Sequence, residues 1–245
     1  MPHLHQHVTT RQSGDKCCAE IAAKDCCPDY TPQRIIDPIC YSEWLPNVRI
    51  LAPHLPDNIL LDYIRRAVIE FAKQSHILQR SIILELQSCV ADYYPCLGEE
   101  ERIATVHLFC IDGDCYKAQG NACEIGGHRY WFMPPQSLLI NPAPTKTGKQ
   151  LALVVDAVPS ENSQQCDRII YDRHFQAIEA YAAAQAALVP PDMDTPKSYM
   201  PRPELYPLRM EIFRQAISRA KIDIVRHYST EGQTWTEGKC YGRQR

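Results

Sequence analysis

The sequence predicts an α+β protein in which three helices stand apart from a β-rich section. Three observations carry this. Apolar residues fall at helical spacing near residue 60, alternate with period two from about residue 80 to 158, and return to helical spacing in the last third. The expected architecture is a helical bundle with an inserted β-rich domain, an extended N-terminal arm and a C-terminal tail. The expected divisions are 1–45 for the arm, 46–79 and 161–228 for the two parts of the helical domain, 80–160 for the β domain and 229–245 for the tail.

Residues 1–45 are polar and Cys-rich, punctuated by Pro28, Pro32 and Pro38, with 4 basic and 6 acidic residues. No sustained period appears, so they read as an arm that packs against something else. Asp57 follows Leu55-Pro56 and is placed as an N-cap, its carboxylate accepting an orphan backbone N–H. Leu60, Ile64, Ala67, Val68 and Phe71 then share one helix face up to about Ser75. Ile82, Leu84 and Leu86 alternate with Glu85 and Gln87 in a half-buried strand expected over 80–94 and ended by Tyr93-Tyr94-Pro95. Ile103–Ile111 is the second strand, and Asp112-Gly113 is the turn signal for a hairpin into a third. Glu124–Phe132 and Gln136–Ile140 are shorter candidates, with Gly126-Gly127-His128 as a turn between strands. Asn141-Pro142-Ala143-Pro144 is a stop, and Gln150–Val158 is the strongest strand.

Helix returns over Cys166–Leu188, whose alanine run permits close helix–helix approach. A proline-rich linker, Pro190–Pro207, separates it from a last helix over Glu204–Tyr228. There Leu205, Leu208, Ile212, Ala216, Ala220 and Ile224 form one apolar stripe. The tail holds Trp235, Tyr241, Arg243 and Arg245 among three glycines. Trp, Tyr and Arg dominate interface hot spots, so the tail reads as a segment that orders on a partner.

Composition bounds the function. The 245 residues carry 26 Lys+Arg and 29 Asp+Glu, a net charge of −3, which argues against bulk nucleic-acid binding. No stretch approaches the length of a membrane span. The first residues, MPHLHQHVTT, lack the charged and apolar regions of a secretory signal, so assembly in the cytoplasm is expected.

The 12 cysteines are many for a cytosolic chain. None forms Cys-x-x-Cys, and the doubled Cys17-Cys18 and Cys26-Cys27 point adjacent side chains apart, which disfavours one tetrahedral metal. Cys110 and Cys115 flank the Asp112-Gly113 turn and can face each other across two strands. The favoured reading of the cysteines is small buried hydrophobes, with disulfides disfavoured by a reducing compartment. Dinucleotide, phosphate-loop, zincin and nucleophile-elbow motifs are absent. Lys146–Gln150 only echoes a phosphate loop, and it precedes a strand. No catalytic residue, metal or cofactor is expected, and His128 reads as a turn residue.

The order of segments resembles the head–tail adaptor (neck or connector) proteins of tailed bacteriophages, especially short-tailed ones. The resemblance runs over about residues 48–229. It rests on LAPHLPDNILLDYIRRAVIEFAKQSHILQRS at Leu51–Ser81, Tyr93-Tyr94-Pro95, Asp112-Gly113, the proline segment at Leu139–Pro144, Val158-Pro159-Ser160, the alanine-rich helix and a last helix around Phe213. The Cys-rich arm and the tail depart from the pattern. The resemblance implies a non-enzymatic virion protein, a homo-oligomeric ring of about twelve copies. Such a ring bridges the portal protein to a tail tube or nozzle protein and passes genomic DNA without sequence-specific binding. Ring closure needs heterologous contacts, for which Ala182, Ala183 and Ala186 and the arm cysteines Cys17, Cys18, Cys26 and Cys27 are the candidates, while the tail's Trp235, Tyr241, Arg243 and Arg245 are the candidates for docking on the portal. A Cys- and His-rich metal-binding protein or enzyme is one alternative; another tail-completion ring protein is the second.

Overall fold

Pro56 is extended (φ −67°, ψ 151°), so it supplies the non-helical residue from which α2 (Asp57–Ser75) starts. The computed structural model describes residues 37–112, 114–134, 136–190 and 202–230, with side chains as far as Ile224. Pro56 rather than Asp57 is thus the N-cap. Asp57 sits in the first turn, where its charge suits the helix dipole, and it pairs with Arg49 of α1 (Leu45–Leu51). The expected apolar face of α2 is buried throughout, from Leu60 to Phe71.

The chain is α+β, with its strands between the helices. β2 (Gln79–Leu86), β4 (Glu101–Ile111), β5 (Asp114–Lys117) and β9 (Lys149–Pro159) form an antiparallel sheet in the order β2-β9-β4-β5. β3 (Asp92–Tyr93), β6 (Ala122–Ile125), β7 (His128–Met133) and β8 (Ser137–Asn141) form a second, in the order β3-β8-β7-β6. The strand expected over 80–94 is therefore two strands in different sheets. Cys89, at φ 63°, turns the chain between them. Asp112 (φ 51°) opens the β4–β5 hairpin as expected, with Ile111 opposite Asp114. Gly126 and Gly127 (φ 57° and 82°) split Glu124–Phe132 into β6 and β7; positive φ at both positions is the geometry that glycine adopts without a steric cost.

Cys166 lies in a short strand, β10 (Gln165–Asp167), and the helix α3 (Arg168–Ala187) begins only after it. Asp167 Oδ1 caps α3 by accepting the Ile169 N–H at 3.1 Å. β10 pairs with β1 (Pro38–Cys40), followed by a 3-10 turn, Tyr41–Glu43. The end of the expected arm is thus packed on this chain: Ile39, Tyr41 and Trp44 are buried, and Tyr41 Oη is 2.8 Å from Ser163 Oγ. The buried side chains of helices and sheets form one continuous core.

The last helix, α4 (Tyr206–Thr230), buries a stripe that overlaps the expected one only in part. Of the expected residues Ala220 is buried and Ala216 packs on the core, whereas Leu208 and Ile212 are exposed and Phe213 and Ile217 face inward in their place. Both stripes have helical spacing. Phe213 decides between them by filling the space between Phe71 and Tyr181, with ring centroids 5.9 and 4.8 Å away.

His174 breaks the helical geometry of α3 (φ −131°, ψ 21°) and packs on Phe71 at 4.6 Å. Burial holds its imidazole below the ordinary histidine range, with Arg173 acting in the same direction and Asp223 opposing. The folded state therefore takes up the proton later than the unfolded chain. Stability is complete above the unfolded pKa, near 6.5, and is lost as pH falls toward the depressed folded value. In urea titrations from pH 7.5 to 5, His174→Gln is expected to flatten this part of the slope; an unchanged slope would assign it elsewhere.

Candidate functional site

The structure separates the sequence-predicted site residues into two groups. Cys17, Cys18, Cys26 and Cys27 of the arm and Trp235, Tyr241, Arg243 and Arg245 of the tail lie outside the described residues. Ala182, Ala183 and Ala186 are fully buried within this chain, among the packed helices α2, α3 and α4. Arg209 of α4 reaches this seam, donating from Nη1 to the Ala183 carbonyl at 2.7 Å. Methyl side chains let the helix backbones approach, and that same approach leaves these three residues no surface to offer a neighbouring chain.

The described cysteines divide more finely than expected. Cys123 and Cys166 are buried thiols, Cys40 is exposed and Cys89 is half-buried. Cys110 and Cys115 are joined as a disulfide across the β4–β5 hairpin, and Cys96 is also disulfide-bonded. The pairing follows from the two-residue turn, which sets Cys110 directly opposite Cys115. Burial pushes the Cys166 thiol well above its usual range, so it is unsuited to nucleophilic work.

Several large apolar side chains lie on the surface, among them Leu208 and Ile212 of the stripe expected to face the core. Leu208, Ile212 and Ile222 are exposed on α4, and Ile83 is exposed on β2, an edge strand of its sheet. On β7 the outward positions are Arg129, Trp131 and Met133, with the Arg129 guanidinium 5.8 Å from the Trp131 ring centroid. The signal was present in the sequence: Arg129-Tyr130-Trp131-Phe132-Met133 alternates, and one half of any two-sided alternation must face out.

Two charged clusters lie beneath. Arg80 of β2 donates to Glu101 from Nε (3.1 Å) and Nη2 (2.9 Å), and from Nη2 to Asp167 Oδ2 (3.0 Å), with all three residues buried. Burial, helped by the neighbouring Asp167 carboxylate, raises the Glu101 carboxyl above its usual range, and Arg80 offsets only part of that. This cluster ties β2 and β4 to the start of α3 and is structural. The second cluster gathers His76, which follows α2, with His107 of β4 and Asp156 of β9. Their ligand-type atoms all lie within 4.8 Å of one another. It is the only such group among the described residues. Sequence reasoning missed it because its members are spread over 80 residues.

His128 donates from Nδ1 to the Pro142 carbonyl at 2.7 Å and acts as a turn residue. Lys146–Gln150 runs into β9, with Gly148 at φ 97°. No described helix is long and apolar enough to cross a membrane.

No protein-family model matches the chain, and no curated protein does. Among solved structures it is similar to one described as the neck of an empty GTA particle computed with C6 symmetry. The two share 15% identity at a TM-score of 0.27, covering 75% of this chain and 89% of the other. At that identity and score the likeness settles neither fold nor function.

Proposed function

We propose that this chain is a structural subunit of a tailed-phage head–tail connector: a ring that bridges a portal protein to a tail tube or nozzle protein and continues the DNA channel. The observation that carries the reading is the ordered set of sequence features over about residues 48–229. Several of its members coincide with the ends of elements: the Leu51–Ser81 phrase spans α2 and runs into β2, Asp112 follows the end of β4, Asn141-Pro142 ends β8 and Pro159-Ser160 closes β9, while Phe213 lies within the helix that seals the core. Exposed Trp131, Met133, Leu208 and Ile212 give such a subunit apolar and aromatic contact surface beyond its own core.

The ring is of about twelve copies, closed by heterologous contacts. The tail from Ser229 to Arg245 docks on the portal through Trp235, Tyr241, Arg243 and Arg245. The part of the arm before Asp37, with its doubled cysteines, lies on a neighbouring subunit. DNA passes without sequence-specific contact, and the protein resides in the virion after assembly in the host cytoplasm.

Electron microscopy of the purified chain with and without its portal protein tests this. Closed rings on the portal are expected, and removal of Ser229–Arg245 is expected to abolish docking while leaving the far-ultraviolet circular dichroism of the core. A chain that stays monomeric and never binds portal would overturn the reading.

A further inference from the structure

We propose that His76, His107 and Asp156 form a binding site for a divalent transition-metal ion of the zinc class, clamping the end of α2 to the β4–β9 sheet. The residues are assembled by three departures from regular structure. His76 is the residue at the C-terminal end of α2 and adopts the left-handed conformation (φ 60°, ψ 26°). Glycine is the usual occupant of that position, because a Cβ there carries a steric cost. A histidine in its place accepts that cost and brings an imidazole over the sheet. His107 is the extra residue of a β-bulge: Val106 pairs with Val155 and Leu108 with Val154, so nothing opposes His107. Bulges re-aim a side chain, and this one is pinned by Val106 N–H donating to Asn121 Oδ1 (2.9 Å) and Ala118 N–H donating to the His107 carbonyl (2.7 Å). Asp156 sits on β9, a central strand, and is only 1% exposed.

The electrostatics point the same way. A buried carboxylate needs a cation or several hydrogen bonds. Asp156 Oδ2 accepts from His76 Nδ1 at 2.6 Å. Its other oxygen, Oδ1, is 2.6 Å from His107 Nε2, yet the two meet without hydrogen-bond geometry and both are recorded as buried atoms without a hydrogen-bond partner. The His76 and His107 rings stand edge-on to one another, 5.7 Å apart at 78°. Two imidazoles and one carboxylate are the ligand set of open zinc sites, with bonds of about 2.0–2.2 Å and so ligand atoms roughly 3.3 Å apart. The two His–Asp contacts of 2.6 Å need to open by about 0.7 Å, and the three ligand atoms, now within 4.8 Å of one another, need to draw together around the ion. The His76 and His107 side chains remain 40% and 36% exposed, so the cluster lies at the edge of the protein rather than deep in its core. Binding replaces the Nδ1 proton of His76 with the ion and releases that proton to solvent.

The test counts ions on the full chain, because the histidines and cysteines of the arm are potential ligands in their own right. Apo protein is titrated with cobalt(II) and zinc, and cobalt binding is read by visible absorption and by elemental analysis after gel filtration. His76→Gln and His107→Gln, both at partly exposed positions, are expected to bind about one ion fewer per chain than the unsubstituted protein and to lose the corresponding d–d absorption. His128→Gln, outside the cluster, is expected to lose nothing. Equal stoichiometry and spectra in all four proteins, whether at zero ions or at a count set by the arm, would overturn the site and leave a hydrogen-bonded His–Asp–His joint. Ring formation on a portal is read independently, so either idea can fail alone.

Discussion

Arg80→Met is expected to lower the unfolding free energy by about 3–5 kcal/mol, the scale observed when one partner of a buried ion pair is removed. The cause is not the loss in isolation of the three hydrogen bonds to carboxylates and the one to the Gln79 carbonyl. Glu101 and Asp167 would stay behind in the core as carboxylates without a counter-charge, and burial already raises the Glu101 carboxyl against the pull of Arg80. The deficit therefore depends on pH with a definite sign. Without Arg80 the Glu101 carboxyl rises further above its unfolded value, so the folded state binds more protons in that interval. Stability of the variant then falls as pH rises from the unfolded carboxylate range toward the raised folded pKa. The gap between variant and parent should be narrowest near pH 4.5 and widest at neutral pH. Glu101→Gln with Asp167→Asn in the Arg80→Met background removes both orphaned charges and is expected to recover much of the loss. Urea unfolding at pH 4.5 and 7.5 measures this directly. A neutral-pH cost under about 1 kcal/mol would place the cluster with ordinary surface ion pairs.

The same cluster shows why some of this fold was legible in the sequence and some was not. α2 was readable to within a residue of its start and as far as Ser75, because a 3.6-residue period between Pro56 and a polar exit is local information. The β4–β5 and β6–β7 hairpins were readable from Asp112-Gly113 and Gly126-Gly127 for the same reason. β4 was readable as a strand but not in its facing. Strict alternation puts Ile103, Thr105, His107 and Phe109 on one side, whereas the buried residues of the strand are Glu101, Ile103, Val106, Phe109 and Cys110. Two inserted residues, at Ala104 and His107, shift the register twice, and the sequence carries no mark of them. His107 is thereby turned toward Asp156. A cluster built from one bulge, one left-handed helix end and one buried carboxylate 80 residues away is a product of topology, which period and spacing cannot express. The alanine run illustrates the converse: its small side chains were correctly read as permitting close approach, but only the packing of α4 shows that the approach is internal.

Trp44 lay just inside the segment read as an extended arm, and its substitution carries the other large expected effect. It is completely buried, edge-on to Tyr171 at 4.8 Å and stacked with Phe175 at 6.1 Å, both on α3. Trp44→Ala is expected to cost about 3–5 kcal/mol, the transfer free energy of the indole plus the cavity it leaves. Trp44→Phe separates the packing from the polar part. The indole Nε1–H is buried and has no hydrogen-bond partner in the structure, so phenylalanine loses volume but also removes an unpaired donor. It should cost less than half as much as alanine. A Phe variant as destabilised as the Ala variant would mean that the N–H has a partner or that the aromatic geometry tolerates no smaller ring. Hydrogen exchange then tells where the loss falls. Trp44 holds β1 and α1 to α3, so amides of Pro38–Leu51 and of their pairing partner β10 should lose protection first, with β9 and β4 following only at global unfolding. Uniform loss across the sheets would instead make this N-terminal segment an integral part of the cooperative unit, consistent with the single core it shares with them.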